Sequence, residues 1–152
     1  MLHFALPCQK PVRRPLTRYA VAMATLTLIS GCVNRPVSPI LQPAEGTIAA
    51  ATATAARVDA LLPADALLIG EQHDAAEHQQ IEQQVVAHVA GRGLLAALTI
   101  EMADAGVSTA KLKPTANEQQ VQNALKWDNK SWPWAAYGPA VMTAVRAGVP
   151  VL

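Results

Sequence analysis

Residues 66–101 read ALLIGEQHDAAEHQQIEQQVVAHVAGRGLLAALTIE, and the order of patterns within them decides the fold. Residues 66–70 are a short apolar run with the length of a buried strand. Asp74, with Glu77 three residues on, is placed to open a helix through a capping box. That helix is predicted over 75–90, because Ile81, Val85, Val86 and Val89 recur at helical spacing and Gly91 and Gly93 close it. Residues 94–100 (LLAALTI) are a second strand candidate. Strand, helix, strand in this order implies parallel strands joined by a right-handed crossover.

Working outward toward the carboxyl end, residues 117–127 predict a further helix of polar composition. Residues 138–147 (GPAVMTAVRA) predict another, with Pro139 tolerated in its first turn. Gly148 ends it, and residues 149–152 begin a third strand. The expected fold class is therefore α/β, a parallel sheet with crossover helices. A parallel sheet that stopped at this third strand would leave a buried-type strand at an open edge. Residues 57–152 are accordingly expected to be the N-terminal portion of a larger α/β domain.

Working outward toward the amino end, the character changes. Lys10, Arg13, Arg14 and Arg18 precede an uncharged run of eleven residues, 19–29 (YAVAMATLTLI). A bilayer-spanning helix needs about 20 residues, so this run has the length of a signal-peptide core instead. Ile29-Ser30-Gly31-Cys32 follows and resembles a lipobox, in which an aliphatic residue and two small residues precede the cysteine that is lipidated. Residues 1–31 are thus expected to be a signal peptide, with diacylglycerol and a further acyl chain such as palmitate carried on Cys32. More than one chain is needed for stable anchoring. Val33 rather than aspartate after the cysteine favours the outer over the inner membrane of the cell envelope. Pro36, Pro39 and Pro43 make residues 32–56 a tether, although the Ala/Thr run at its end can equally begin a helix that continues into residues 57–62.

Charge and cysteine use agree with export. After Cys32 the chain carries 8 basic and 11 acidic residues, a net of −3. No basic patch remains, and nucleic acid is excluded as a partner. With Cys8 in the leader, Cys32 is the one cysteine of the mature chain, so an intrachain disulfide is excluded.

The chemistry is expected at the carboxyl ends of the strands, where crevices form in parallel sheets. Ile69-Gly70-Glu71 and Ile100-Glu101 each place a carboxylate there. His73 lies on the loop after Glu71. His78, in the early turns of the helix, shares a face with Ile81 and Val85. Glu71, His73, His78 and Glu101 form a candidate cluster of oxygen and nitrogen ligands or acid/base groups. His88, near the far end of the helix, is read as structural. Trp127, Trp132, Trp134 and Tyr137 fall within eleven residues. They suit a flat apolar ligand, but in a body this poor in aromatics they are expected chiefly to pack the core.

The stretch Leu68-Ile69-Gly70-Glu71-Gln72-His73-Asp74, followed by His78, resembles the G-E-x-H-x-x-x-x-H opening of the ChaN-like haem-binding lipoproteins. Thr99-Ile100-Glu101-Met102, the W-x-Y-G-P-like end of residues 127–139, and Gly148-Val149-Pro150-Val151-Leu152 are similar to later parts of that family, so the resemblance spans residues 62–152. The wider group includes erythromycin-esterase-like and TraB/Tiki-like proteins, which implies an α/β fold with Glu/His motifs on the crevice side.

The resemblance implies haem as the cofactor, a haem-bridged homodimer and a role in iron acquisition. It also implies a tyrosine as the iron ligand. Tyr137 is not assigned that role, and the ligand is expected beyond Leu152. A haem-binding protein rather than an enzyme is the first expectation. The alternative is a hydrolase in which His73 acts as general base oriented by Glu71 or Glu101, with or without a metal. A third is a scaffold in which the Glu/His cluster is structural.

Overall fold

The computed structural model describes residues 2–5 and 45–152. The basic segment, residues 19–29 and Cys32 lie outside the described residues. The elements in chain order are β1 (Leu2–Ala5), α1 (Glu45–Leu61), β2 (Ala66–Ile69), α2 (Ala76–Gly91), β3 (Ala97–Ile100), α3 (Glu118–Leu125) and α4 (Trp134–Arg146). The chain is a mixed α/β body, and every helix and strand expected over residues 66–147 is present. The Ala/Thr run is helical and belongs to α1.

The sheet departs from expectation. Its strand order is β2-β1-β3, and β1 pairs antiparallel with both neighbours. Leu2 lies opposite Ile69 on one side and Ile100 on the other. Two strands that each run against β1 must run with each other, so β2 and β3 share a direction but do not touch. The expected parallel sheet is therefore not formed by β2 and β3, because β1 stands between them. Parallel pairing occurs at the far side of β3, as a bridge between Leu98 and Val151. Leu98 N donates to Pro150 O at 2.9 Å, and Leu152 N donates to Leu98 O at 2.8 Å. Buried Thr109 fixes this last segment: its hydroxyl accepts from Val151 N at 2.8 Å, and its own N–H donates to Val151 O at 3.0 Å.

The core lies between α2, α4 and β3. Val86, Val89, Leu98, Val121, Leu125, Val141 and Val151 are all but fully buried in it. α2 and α4 form the most extensive helix pair. α1 crosses α2 on the other flank, where Asp59 takes hydrogen bonds from His88, at 2.7 Å, and from Arg92. The structural reading of His88 is thereby accounted for.

Local signals place the helix ends. Asn117 caps α3 through a full capping box: Gln120 N donates to Asn117 Oδ1 at 2.9 Å, and Asn117 N donates to Gln120 Oε1 at 2.9 Å. The box expected at Asp74 and Glu77 does not form. α2 instead takes Ala75 as its N-cap, with no side-chain cap, one residue later than a box at Asp74 and Glu77 requires; Ala75 N donates to Gln72 O at 3.0 Å and His78 N to Ala75 O at 2.9 Å. α4 begins at Trp134, earlier than expected, so Pro139 lies past the first turn. Gly138 lets the Trp134 indole lie flat on the helix, since a Cβ there would stand 2.6 Å from the ring.

Candidate functional site

β2 delivers Glu71 to its carboxyl end, and the loop of residues 71–75 carries His73 back over it. Their side chains meet. His73 Nδ1 is 2.7 Å from Glu71 Oε1. The Glu71 side chain is only 1% exposed, whereas that of His73 is 43% exposed. An ionised carboxylate can only accept, so Nδ1 carries the proton and Nε2 the lone pair. Gln79, on the first turn of α2, donates from Nε2 to Glu71 Oε2 at 3.1 Å and to His73 O at 3.2 Å. It locks the loop and the carboxylate in one geometry.

Two more groups close around Glu71. Glu82, one turn after Gln79 and 2% exposed, is pushed up to about 7, mainly by burial and then by the neighbouring Glu71 charge. Its protonated form is the one that can bond to Glu71, and its Oε1 is buried without a partner. Tyr137, on α4, is pushed up to about 12 by burial and by the hydrogen bond its hydroxyl gives Glu71. Trp132 stands edge-on to His73, ring centroids 4.9 Å apart, and contacts Tyr137 at 6.0 Å. The result is one carboxylate with histidine, glutamine, carboxyl and phenol donors around it, the histidine side chain being partly exposed.

The four residues singled out from the sequence do not all converge. Glu71 and His73 do. Glu101, just past β3, is exposed. His78 faces its own loop instead, where Nδ1 accepts from Gln72 N at 3.0 Å. That bond puts its proton on Nε2 and engages the ring in holding residues 72–78. Among the described residues no group of three or more His, Cys, Asp or Glu side chains is placed to hold a metal ion.

Gln79 and Glu82 were not picked out by sequence reasoning, and Trp132 and Tyr137 were read there chiefly as core aromatics. Glu82 carried a usable signal. Gln79, Glu82, Val86 and Val89 follow helical spacing and are buried, so a carboxylate stands in line with the core face. The aromatic segment divides between two jobs. Trp127 and Tyr137 are buried in the core, as expected of most of it, and Trp127 Nε1 donates to Trp132 O at 2.8 Å. Trp132 borders the site.

No curated protein and no solved structure gives a significant match to the chain. The family described as haem-binding uptake, Tiki superfamily, ChaN matches residues 57–152. That stretch contains every residue of the Glu71 site and all but the amino-terminal elements of the fold, and the chain belongs to this ChaN family of haem-binding uptake proteins.

Proposed function

We propose that the protein is a lipoprotein of the cell envelope that binds haem for iron acquisition, with His73 as the group that meets the iron. The family's haem-binding description supports the ligand. The observation that carries the assignment to His73 is its pairing with Glu71. Histidines that ligate metals commonly donate the other ring N–H to a carboxylate, which fixes the tautomer and raises ligand basicity. Tyr137 is a poor candidate for the same role, because its hydroxyl is buried and raising its pKa to about 12 disfavours the phenolate. Trp132 beside His73 supplies an apolar wall of the kind a porphyrin packs on. The hydrolase reading draws no support from the family's description, which names haem uptake.

Anchorage rests on the lipobox-like Ile29-Ser30-Gly31-Cys32 and the run before it. It makes the membrane, through lipid on Cys32, a partner of the protein, with the outer membrane favoured by Val33. Pairing of two subunits through haem belongs to the same reading.

The deciding experiment is a haem titration of the full chain followed by Soret absorbance. Saturable binding is expected, and His73→Ala is expected to weaken it and shift the band. Absence of saturable binding by the wild type would sink the proposal. An unchanged band in His73→Ala would remove His73 from the iron. Labelled palmitate incorporated by the wild type and lost in Cys32→Ser would support the anchor.

A further inference from the structure

Leu61, Leu68 and Ile81 are 60%, 56% and 43% exposed, and they lie together. They line one groove of about 650 Å³ formed by α1, β2 and α2. Small-molecule sites are concave, mostly apolar and typically about 300–1,000 Å³ in volume, with a few polar groups to fix orientation. This groove is long as well as apolar. Ala53, Arg57 and Leu61 follow one another four residues apart along its α1 wall, and Glu77, Ile81 and Val85 do so along its α2 wall. Each row rises about 12 Å. Thr54, between the rows, donates to Gln84 Oε1 at 2.7 Å, so these two polar side chains satisfy each other. Arg57 is exposed, and no carboxylate among the described residues forms an ion pair with its guanidinium. No residue of the Glu71 network lines the groove.

We propose that this groove binds a long-chain fatty acid, its acyl chain lying along the two helical rows and its carboxylate paired with Arg57. An elongated apolar trough matches a linear chain. An alkyl chain needs no hydrogen bonds along its length, and with Thr54 and Gln84 engaged the middle of the groove offers few. An extended peptide would bring an N–H and a C=O with every residue, and burying those unpaired is costly. Methylenes leaving water gain free energy without any directional demand. Leu61, Leu68 and Ile81 are the side chains that the hydrocarbon covers. The one group of such a ligand that needs a partner is its carboxylate, and a guanidinium supplies charge-assisted hydrogen bonds to it. Glu77, on the α2 wall, repels a second carboxylate, which leaves Arg57 as the place for the head group. The site is separate from the Glu71 network and does not depend on the haem reading.

The test uses the full chain carrying Cys32→Ser, so that no covalently attached acyl chain can occupy the groove. Decanoate, dodecanoate and the uncharged decanol are titrated into it by calorimetry, below the concentrations at which they aggregate. Saturable binding of one acid per chain is expected, with dodecanoate about tenfold tighter for its two extra methylenes. Adding Ile81→Asp is expected to weaken all three ligands by about tenfold or more. Adding Arg57→Gln instead is expected to weaken the two acids by about tenfold and to leave decanol nearly unchanged. Arg57 and Ile81 are both exposed, so both variants are expected to fold; circular dichroism checks this, with Ile81→Ser held as a milder replacement. Absence of saturable binding overturns the proposal, as does equal affinity for the two acids or an unchanged affinity in Ile81→Asp. Decanoate binding that Arg57→Gln leaves intact, or decanol binding that it weakens equally, overturns the carboxylate pairing. No haem enters the experiment, so each of these outcomes leaves haem binding to its own titration.

Discussion

Glu82 shows how much one buried proton can weigh. Its carboxyl is raised from its ordinary value of 4.5 to about 7 by burial and by the adjacent Glu71 charge. The fold therefore favours the protonated form. The stability this contributes is complete below pH 4.5 and is lost as the pH rises through about 7. One pKa unit corresponds to about 1.4 kcal/mol, so the full change is on the order of 3 kcal/mol. Glu82→Gln keeps the shape and a donor toward Glu71 but cannot ionise. Urea denaturation at several pH values is expected to show wild-type stability falling between pH 4.5 and 7. The variant should lack that slope and be the more stable of the two at pH 8. A parallel slope in both proteins would assign the titration to another group.

At the scale of elements, the capping signal held at α3 and failed at α2. α3 begins where Asn117 and Gln120 satisfy each other's N–H groups. Asn117→Ala is expected to cost about 1 kcal/mol in thermal denaturation. The extent of α2 was equally legible, because 3.6-residue periodicity is an internal property of the segment. Its rotation about its own axis was not. Ile81 looked like a core position, yet the buried face runs through Gln79, Glu82, Val86 and Val89. Two polar residues stand on that face because they meet Glu71, which reaches the site from a different element. Hydropathy cannot foresee a polar group that is buried for the sake of a partner distant in sequence. The same rotation turned His78 toward Gln72 and brought Glu82 into the site. Glu71 and His73 were legible for the opposite reason, since they are two residues apart on one loop. The place of β1 was hidden, because strand pairing depends on what the rest of the chain leaves open.

For the molecule as a whole, two flanks of α2 carry the features of interest. One faces α4 and holds the Glu71 network. The other faces α1 and forms the apolar groove, with the Asp59, His88 and Arg92 cluster beyond it. A ligand held at His73 would touch the folded arrangement around Glu71 and little of the unfolded chain. Binding to the native state alone stabilises by mass action. Haem at a hundredfold excess over its dissociation constant is expected to raise unfolding free energy by about 2.7 kcal/mol, measured by denaturant titration with and without ligand. A haem that coloured the protein without moving the denaturation midpoint would be bound outside this fold.

The position of β1 has a consequence of its own. Neighbouring strands lie about 4.8 Å apart, so β2 and β3 stand roughly two such spacings from each other with β1 as the rung between them. Residues 2–5 are thus a keystone: they are joined to the body through a long intervening segment, yet they close its arch from the middle. The processing before Cys32 that the lipoprotein reading requires would remove residues 2–5 from the body they close. That body is then left with two facing rows of unpaired backbone groups and room for a single extended visitor.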